Sequence, residues 1–329
     1  MKKLFIGIDI SKDVFDFIGI TEDGVVNLPH GICENNQAAI KSFIRTIRKY
    51  RDDQVHICME HTGHYGLLLA TEFSLATITF SLINPLEIKN SSGLVRGKTD
   101  AVDAYRIAKY ALSNKHELKP YALPKREIQQ LKVLMSLREG YVKIAVQLKN
   151  SMKAFQIMAT NIPIKKQLKQ HQKLITEQEK AIDNIEKQMK NIIASNEDLN
   201  GTYQKITAVI GVGPLTAMKC IIETENFTTF NNARKFACHC GLAPFEYQSG
   251  TSIRKRTKTS PISNRSLKAI LFKAASSAIQ HDPQLKNYYK RKTDMGKHKL
   301  SVLNAIANKI VLRIFAVAKR NEPFVRLAA

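Results

Sequence analysis

The sequence predicts an α/β domain at the N-terminus of the chain, followed by a mostly helical remainder. Up to about residue 113, short apolar strand-like segments alternate with helical patterns. From Pro124 to about Asn200 glycine is nearly absent, and Leu, Ile, Lys, Gln and Glu dominate. The last part of the chain is strongly basic. Together these observations divide the 329 residues into segments 1–123, 124–200 and 201–329.

The predicted elements of the first segment follow a recognisable order. They are strands at 3–11, 13–21 and 24–33, a helix at 36–50, a strand at 55–60, a helix at 65–76, a strand at 77–83 and a helix at 99–113. A three-strand meander followed by alternating helices and strands is the layout of RNase H-like nuclease and integrase cores. In that fold the first and fourth strands lie side by side.

Two acids lie in or at the end of apolar segments. Asp9 lies within the segment 4–10, and Glu60 ends the segment 55–60. A carboxylate in such a strand is costly to bury unless it is paired or bound to a metal. Because the predicted layout makes these two strands neighbours, we expect the two acids to lie close together.

Asp100 and Asp103 lie three residues apart in the last predicted helix, which Thr99 is expected to cap. That spacing puts both acids on one helix face. The helix is expected to bring them to the two strand acids. Four converging carboxylates suit Mg²⁺ or Mn²⁺. Two such ions would stabilise the attacking and leaving oxygens of a phosphodiester.

Ordinary surface acids are the alternative interpretation. The first 110 residues hold 13 Asp and Glu, so one acid alone carries little information. Asp13 and Asp16 illustrate this, since both fit an exposed strand face. The apolar flanks of Asp9 and Glu60 favour the site.

The charge of the chain predicts a polyanionic partner as the first expectation. The net charge is +23, and the isoelectric point is about 9.8. Residues 1–110 are neutral overall, residues 111–246 carry +8 and residues 247–329 carry +15. The neutral part is therefore expected to hold the chemistry and the basic part to bind the nucleic acid.

The cysteines and the apolar runs favour a reducing cytoplasm. Five scattered cysteines do not form a disulfide framework. Cys238 and Cys240 flank His239 but lack a second ligand pair at zinc-finger spacing, so buried packing is the favoured interpretation. No signal peptide is visible and no run of 18 apolar residues occurs, so no membrane span is expected.

The middle segment predicts two long helices. Apolar residues recur at helical spacing between Leu131 and Leu148, Pro163 interrupts the pattern, and a second helix is expected from about Lys165 to Ser195. An antiparallel helical hairpin or coiled coil follows. Its exposed basic residues are either a solvated face or a nucleic-acid contact.

Two short helical patterns meet at the sequence Gly-Val-Gly-Pro, residues 211–214. This arrangement is typical of a helix-hairpin-helix, whose turn offers backbone N–H groups to a phosphate. Gly211 and Gly213 are the candidate contacts. A plain helix–helix turn is the alternative.

A serine precedes a basic cluster near the C-terminus of the chain. Ser249-Gly250 is followed by Arg254, Lys255, Arg256 and Lys258, and an apolar helix follows from Leu267. A hydroxyl in a mobile basic loop could attack a phosphodiester and hold the DNA end covalently. The basic side chains would stabilise the charge that develops on phosphorus. Alternatively, this is a flexible DNA-binding loop whose serine only contacts phosphate.

These motifs, in this order, resemble the insertion sequence 110 family of transposases, relatives of the Piv-type DNA invertases. At the N-terminus the resemblance rests on the segments 7–12, 59–63 and 98–104. At the C-terminus it rests on Ile210-Gly-Val-Gly-Pro214, Gly241-Leu-Ala-Pro244 and Ser249-Gly250. It covers nearly the full length of the chain.

The resemblance implies a RuvC-like DEDD domain, a coiled-coil segment and a mostly α-helical transposase domain. It implies that Asp9, Glu60, Asp100 and Asp103 form a metal-binding tetrad and that Ser249 is the covalent nucleophile. Some members of this family are directed by a structured bridge RNA. A composite active site is expected, completed between protomers of a dimer or tetramer that acts on the bacterial nucleoid.

One departure from the family pattern leaves the nucleophile open. Family members often show a Gly-rich stretch and a Lys-Arg-Gly motif after the serine, whereas this chain has Thr-Ser-Ile at 251–253 and Ser-Asn-Arg at 263–265. Ser252 is therefore a rival to Ser249. Three further alternatives stay open: a Holliday-junction resolvase type of nuclease that uses water, a Piv-type site-specific invertase, and a non-catalytic nucleic-acid-binding protein.

Overall fold

The computed structural model describes residues 3–50, 55–61, 63–91, 93, 99–249, 253–320 and 324. The chain separates into two compact units, Met1–Leu123 and Pro124–Ala329. A further domain boundary near residue 200 stays a prediction.

The first unit contains every element predicted for it and one additional helix. Its strands are β1 (Leu4–Ile10), β2 (Val14–Thr21), β3 (Val26–Glu34), β4 (Val55–Glu60) and β5 (Phe80–Ile83), and its helices are α1 (Gln37–Ile47), α2 (Leu67–Leu75), α3 (Pro85–Ser91) and α4 (Asp100–Ser113). Helix α3 was not predicted, because Asn84-Pro85 marks the end of a strand. Proline is equally compatible with the first position of a helix, where no N–H is needed.

The strands form one mixed sheet in the order β3-β2-β1-β4-β5. Strand β1 pairs with β2 antiparallel and with β4 parallel, and β5 continues the parallel part beside β4. The predicted adjacency of the first and fourth strands is confirmed. A three-strand antiparallel meander extended by parallel strands is the sheet of the RNase H-like fold.

Helices cover both faces of this sheet, so the strands alternate between two apolar cores. On one face Ile6 and Ile8 of β1 pack in a cluster with Phe43 of α1 and Phe73 of α2. On the other face Phe5 packs in a second cluster with buried side chains of α4. Because side chains alternate along a strand, Gly7 and Asp9 share the α4 face with Phe5.

Gly7 lets α4 approach β1 closely. A Cβ at this position would lie 2.2 Å from the carbonyl oxygen of Ala104 and 2.3 Å from the backbone nitrogen of Ala108. Backbone atoms cannot yield as a flexible side chain can, so even a methyl group would displace the helix. The helix–strand distance beside Asp9 therefore depends on glycine.

We expect Gly7→Ala to lower the free energy of unfolding of the first unit by about 1–3 kcal/mol, the usual cost of overpacking a core. Thermal and urea unfolding would measure the change. Gly140→Ala is the matched control, because Gly140 lies in a helix and an added Cβ there meets no atom within 4 Å. That variant is expected to gain up to about 1 kcal/mol from helix propensity. A neutral Gly7→Ala would contradict the close packing of α4.

The second unit begins with an antiparallel helical hairpin, α5 (Arg126–Met158) and α6 (Lys165–Ala194). Arg138 pairs with Glu186 at 2.6 Å, and farther along α5 Lys149 pairs with Glu179 at 2.6 Å. From the first pair to the second, the residue number increases along α5 and decreases along α6. The two helices therefore pack antiparallel. The predicted hairpin is thus present, and supercoiling of the two helices stays a prediction.

The remaining elements of the second unit build a helical core and one small sheet. They are α7 (Glu197–Thr207), α8 (Pro214–Thr224), α9 (Ala233–His239), β6 (Pro244–Ser249), β7 (Ile253–Thr259), α10 (Arg265–His281), α11 (Pro283–Asp294) and α12 (Lys299–Lys319). Within the described part of the chain, α12 is the helix long and apolar enough to cross a membrane. Its buried residues, among them Ile306, Ile310 and Ile314, belong to the core of this unit. It therefore serves as the central core helix.

The prediction that the basic cluster lies in a loop was wrong. Strands β6 and β7 pair antiparallel, with Gln248 opposite Arg254 and Phe245 opposite Lys258, so the cluster lies in a strand. A two-stranded hairpin has no buried core of its own, so its residues show no apolar alternation for sequence analysis to detect.

Candidate active site

Strand pairing sets the two strand acids at the same end of the sheet. Ile8 of β1 lies opposite Met59 of β4 in the parallel register, and Asp9 and Glu60 each follow by one residue. Both side chains are half-buried. The neighbouring strands therefore bring these two carboxylates together, on the face of the sheet that α4 covers.

Helix α4 supplies the other two acids from its first turn. Thr99 caps the helix, and its hydroxyl oxygen accepts a hydrogen bond from the Val102 N–H at 3.3 Å. Asp100 and Asp103 precede the segment of α4 at Ala104 and Ala108, whose backbone packs against Gly7. The positive end of the helix dipole favours acids at this position.

The charge environment of Asp9 shows that the four acids lie near one another. Burial, together with the charges of Asp103, Glu60 and Asp100, raises the pKa of Asp9 from 3.8 to about 6. A carboxyl group that is surrounded by like charges resists ionisation. A bound cation would remove this penalty.

The donor set suits a hard divalent cation, although the side chains are not gathered around one point. Among the described residues, no group of three His, Cys, Asp or Glu side chains is spaced to hold one metal ion. Asp103 is also engaged, because Arg106 donates to its carboxylate at 2.6 Å. A cation and the Arg106 guanidinium would therefore compete for Asp103.

The raised pKa of Asp9 predicts a pH-dependent stability. Asp9 binds its proton more tightly in the folded state, so stability should fall as the pH rises from 3.8 through about 6. Asp9→Asn carries no charge and should be more stable than the native protein above pH 6, yet equal to it below 3.8. Urea unfolding in metal-free buffer measures both. Asp13→Asn, at an exposed position, is the control. Equal stability of Asp9→Asn and native protein above pH 6 would contradict the raised pKa of Asp9.

The prediction that Asp16 lies on an exposed strand face was wrong. Asp16 is only 6% exposed, lies opposite Asp9 in the β1–β2 register, and is bonded to His30 Nε2 at 2.6 Å. Its position was detectable, because Asp16 shares its strand face with the apolar Ile18 and Ile20. Asp16 is thus a fifth acid near Asp9, held by a histidine partner.

Ser249 is the last residue of β6 and pairs with Ile253 of β7. Its side chain lies outside the described residues, as do the rival Ser252 and Gly250. Strand β7 contains Arg254, Lys255 and Arg256, whose side chains lie outside the described part of the structure. Lys258 is exposed.

A buried polar network that sequence analysis missed joins α5, α8 and α10. Lys219 is 4% exposed, and its ammonium group donates to Glu139 and to Ser266. Ser266 in turn donates to Glu139 at 2.7 Å. Burial raises the pKa of Glu139, but these hydrogen bonds outweigh it and lower the pKa overall. The network anchors the first turn of α10, the helix that follows the basic hairpin.

The two candidate phosphate-binding glycines differ in their surroundings. Gly211 has a φ of 91°, and a Cβ there would lie 2.6 Å from the carbonyl oxygen of Ala274 in α10. Its conformation and its packing thus both require glycine. Gly213 precedes α8, and a Cβ there would meet no atom within 4 Å. Of the two, Gly213 has the space that a ligand needs.

Cys240 is fully buried and Cys238 partly so, and burial raises the pKa of the Cys240 thiol. Cys240 packs in the hydrophobic core of the second unit, as the packing interpretation of this cysteine predicted.

Comparison with known families matches both units of the chain to transposase models. Residues 6–156 match a DEDD transposase model of the IS110 type, and residues 203–290 match the model described as Transposase IS116/IS110/IS902 family. Together the two matches cover well over half of the chain.

Curated relatives span the full length. The pilin gene-inverting protein of Moraxella lacunata is 28% identical over 98% of both chains. The transposase for insertion sequence element IS1111A of Coxiella burnetii is 23% identical over 97% of this chain and 90% of that protein. A structure of T. thermophilus RuvC in complex with a Holliday junction substrate aligns with 36% of this chain and 99% of its own, at 9% identity and a TM-score of 0.29.

Proposed function

Because the chain belongs to the insertion sequence 110 family of transposases, we propose that it cuts and rejoins DNA with a carboxylate tetrad and a serine nucleophile. The tetrad is Asp9, Glu60, Asp100 and Asp103, and the nucleophile is Ser249. The observation that carries the proposal is the environment of Asp9, whose pKa is raised to about 6 by burial and then by the charges of Asp103, Glu60 and Asp100. An enzyme tolerates such mutual repulsion where a cation is to be bound.

In the proposed reaction the Ser249 hydroxyl attacks a DNA phosphorus atom. A serine–phosphate bond forms, the bond from phosphorus to the 3′ oxygen breaks, and the serine proton is transferred to the departing 3′ oxygen. A 3′ hydroxyl from another DNA end then attacks the phosphoserine and releases the enzyme. Mg²⁺ or Mn²⁺ held by the tetrad would supply Lewis-acid stabilisation. Arg254, Lys255, Arg256 and Lys258 would bind the phosphates beside the serine.

Site-specific DNA inversion is a second candidate function. The pilin gene-inverting protein of Moraxella lacunata aligns with this chain from end to end, at 98% of both lengths. The same cutting and rejoining steps invert a segment when two sites lie in opposite orientation on one DNA molecule. The sequence flanking this gene separates the two: element ends beside a structured noncoding region indicate transposition, and an invertible segment indicates inversion.

The proposal includes partners beyond the DNA substrate. A structured bridge RNA would select the DNA sites, as the family resemblance implies. Strand exchange requires several DNA ends to be held together, so a homodimer or homotetramer is expected. Action on chromosomal DNA places the protein in the cytoplasm, on the nucleoid.

Dependence on a divalent cation is the direct test of the tetrad. Protein treated with EDTA should bind DNA without cleaving it, and Mg²⁺ or Mn²⁺ should restore strand cleavage. Denaturing electrophoresis of end-labelled DNA that carries the flanking sequences measures both states. Undiminished cleavage in EDTA would contradict a metal-dependent tetrad.

A further inference from the structure

Helices α11 and α12 border an open groove of about 1350 Å³ in the second unit. Its lining combines the aromatic ring of Tyr288 with four basic side chains, Lys290 and Arg291 from α11 and Lys309 and Arg313 from α12. None of these residues belongs to the basic hairpin or to the Gly-Val-Gly-Pro turn. We propose that this groove is a second DNA-binding site, which holds the sugar–phosphate backbone of a duplex.

The basic side chains converge from both helices. Lys309 Nζ lies 4.8 Å from the centre of the Tyr288 ring, and the Arg291 guanidinium lies 5.9 Å from it. Such cation–π contacts orient the charged groups without neutralising them. Lys290, on the same helix, is exposed to solvent. The groove therefore presents positive charge from two sides.

Within the described part of the chain, three of the four groove cations, Lys290, Arg291 and Lys309, form no ion pair. The groove lining contains one acid, Asp294. Arg313, at the end of the groove, differs from them. It is held by Asp282 and by Gln284, each at 2.5 Å, and so has a structural role.

The chemistry of the groove favours a phosphate backbone over unpaired bases. Proteins that bind single strands stack bases on open aromatic rings. Here two cations already lie against the Tyr288 ring, so the ring serves to position charge. Cations without partners release counterions from DNA when they contact phosphates, and this drives duplex binding irrespective of sequence.

The inference rests on the proposed function only in taking DNA as the substrate. DNA binding is measured without cleavage, in EDTA, so its outcome is independent of the tetrad and of Ser249. If duplex binding does not depend on the groove, the proposed cleavage reaction is unaffected. If the protein does not cleave DNA as proposed, duplex binding by the groove can still be measured.

The test compares two double variants of the full chain that lose the same charge. Lys290→Gln with Lys309→Gln removes two groove cations. Lys273→Gln with Lys299→Gln removes two exposed lysines of α10 and α12 that do not line the groove. Binding to a labelled duplex of arbitrary sequence is measured by fluorescence anisotropy over a range of salt concentrations. The melting temperatures of both double variants are measured to check that the fold is retained.

The groove variant should bind more weakly, and the slope of log K against log salt should flatten by about two, since each lost phosphate contact removes roughly 0.9. The control variant should keep the native slope. Equal slopes for the two variants, or an unchanged groove variant, would overturn the proposal. So would a groove variant that keeps duplex binding and loses binding to a structured RNA, because the groove would then be an RNA site. Tyr288→Leu, which keeps every charge, should weaken duplex binding by releasing the positioned cations.

Discussion

Replacing Ser249 with alanine is expected to abolish DNA strand cleavage and the covalent protein–DNA intermediate while DNA binding persists. Removal of a catalytic nucleophile leaves only binding and electrostatic stabilisation, so cleavage should fall by on the order of 10⁴-fold or more. Ser249 ends strand β6, and its neighbours on β7 are basic, so the alanine variant keeps the charge that holds the phosphate.

Denaturing electrophoresis of protein incubated with labelled DNA and Mg²⁺ measures this loss. Native protein should give a covalent band that disappears in Ser249→Ala. Ser252→Ala is the matched control, since it removes a hydroxyl three residues away in the same segment, and it should keep the band. Full cleavage by Ser249→Ala would favour a resolvase-type nuclease that uses water. A band lost only in Ser252→Ala would transfer the nucleophilic role to that residue.

Asp9→Ala and Glu60→Ala are each expected to reduce recombination by about 10³-fold or more. Metal ions supply several kcal/mol of transition-state stabilisation, and each 1.36 kcal/mol changes a rate tenfold. Both side chains are half-buried carboxylates that carry little apolar surface of their own, so the fold should persist. Recombination of a two-site plasmid measures the effect.

Asp13→Ala is the control for these variants, because Asp13 is an exposed acid next to β2. It should recombine normally. Asp16 cannot serve as a control, since it is buried opposite Asp9 and bonded to His30. Normal recombination by both Asp9→Ala and Glu60→Ala would remove the basis for a metal site.

The sheet of the first unit was predictable because each strand carries an apolar run bounded by turn residues. The order of these runs matches the RNase H-like layout, in which the first and fourth strands are neighbours, and Thr99 marked the start of α4 correctly. The network around Lys219 was not predictable, because Glu139, Lys219 and Ser266 are brought together from three distant helices. Long-range polar pairs of this kind leave no periodic signal in a sequence.

The groove between α11 and α12 was hidden for a different reason. Its cations are scattered among many other basic residues of the C-terminal part, which carries 18 Lys and Arg. Composition predicted that this part binds nucleic acid, but it could not distinguish the cations that lack acidic partners from Arg313, which Asp282 holds. Only packing separates these two groups.

Because glycine has no side chain, Gly7 restricts the substitutions that this domain can accept. The distance between the acids of α4 and strand β1 is set by the contact of the Gly7 backbone with the α4 backbone, about one turn away from the acids. A substitution at position 7 would therefore displace the acids proposed to bind the metal without changing any of them, and an exchange of one acid for another could not compensate for it. Substitutions should be tolerated on the outer face of α4 and restricted at the small residues Gly7, Ala104 and Ala108, where the close packing leaves no room for a larger side chain.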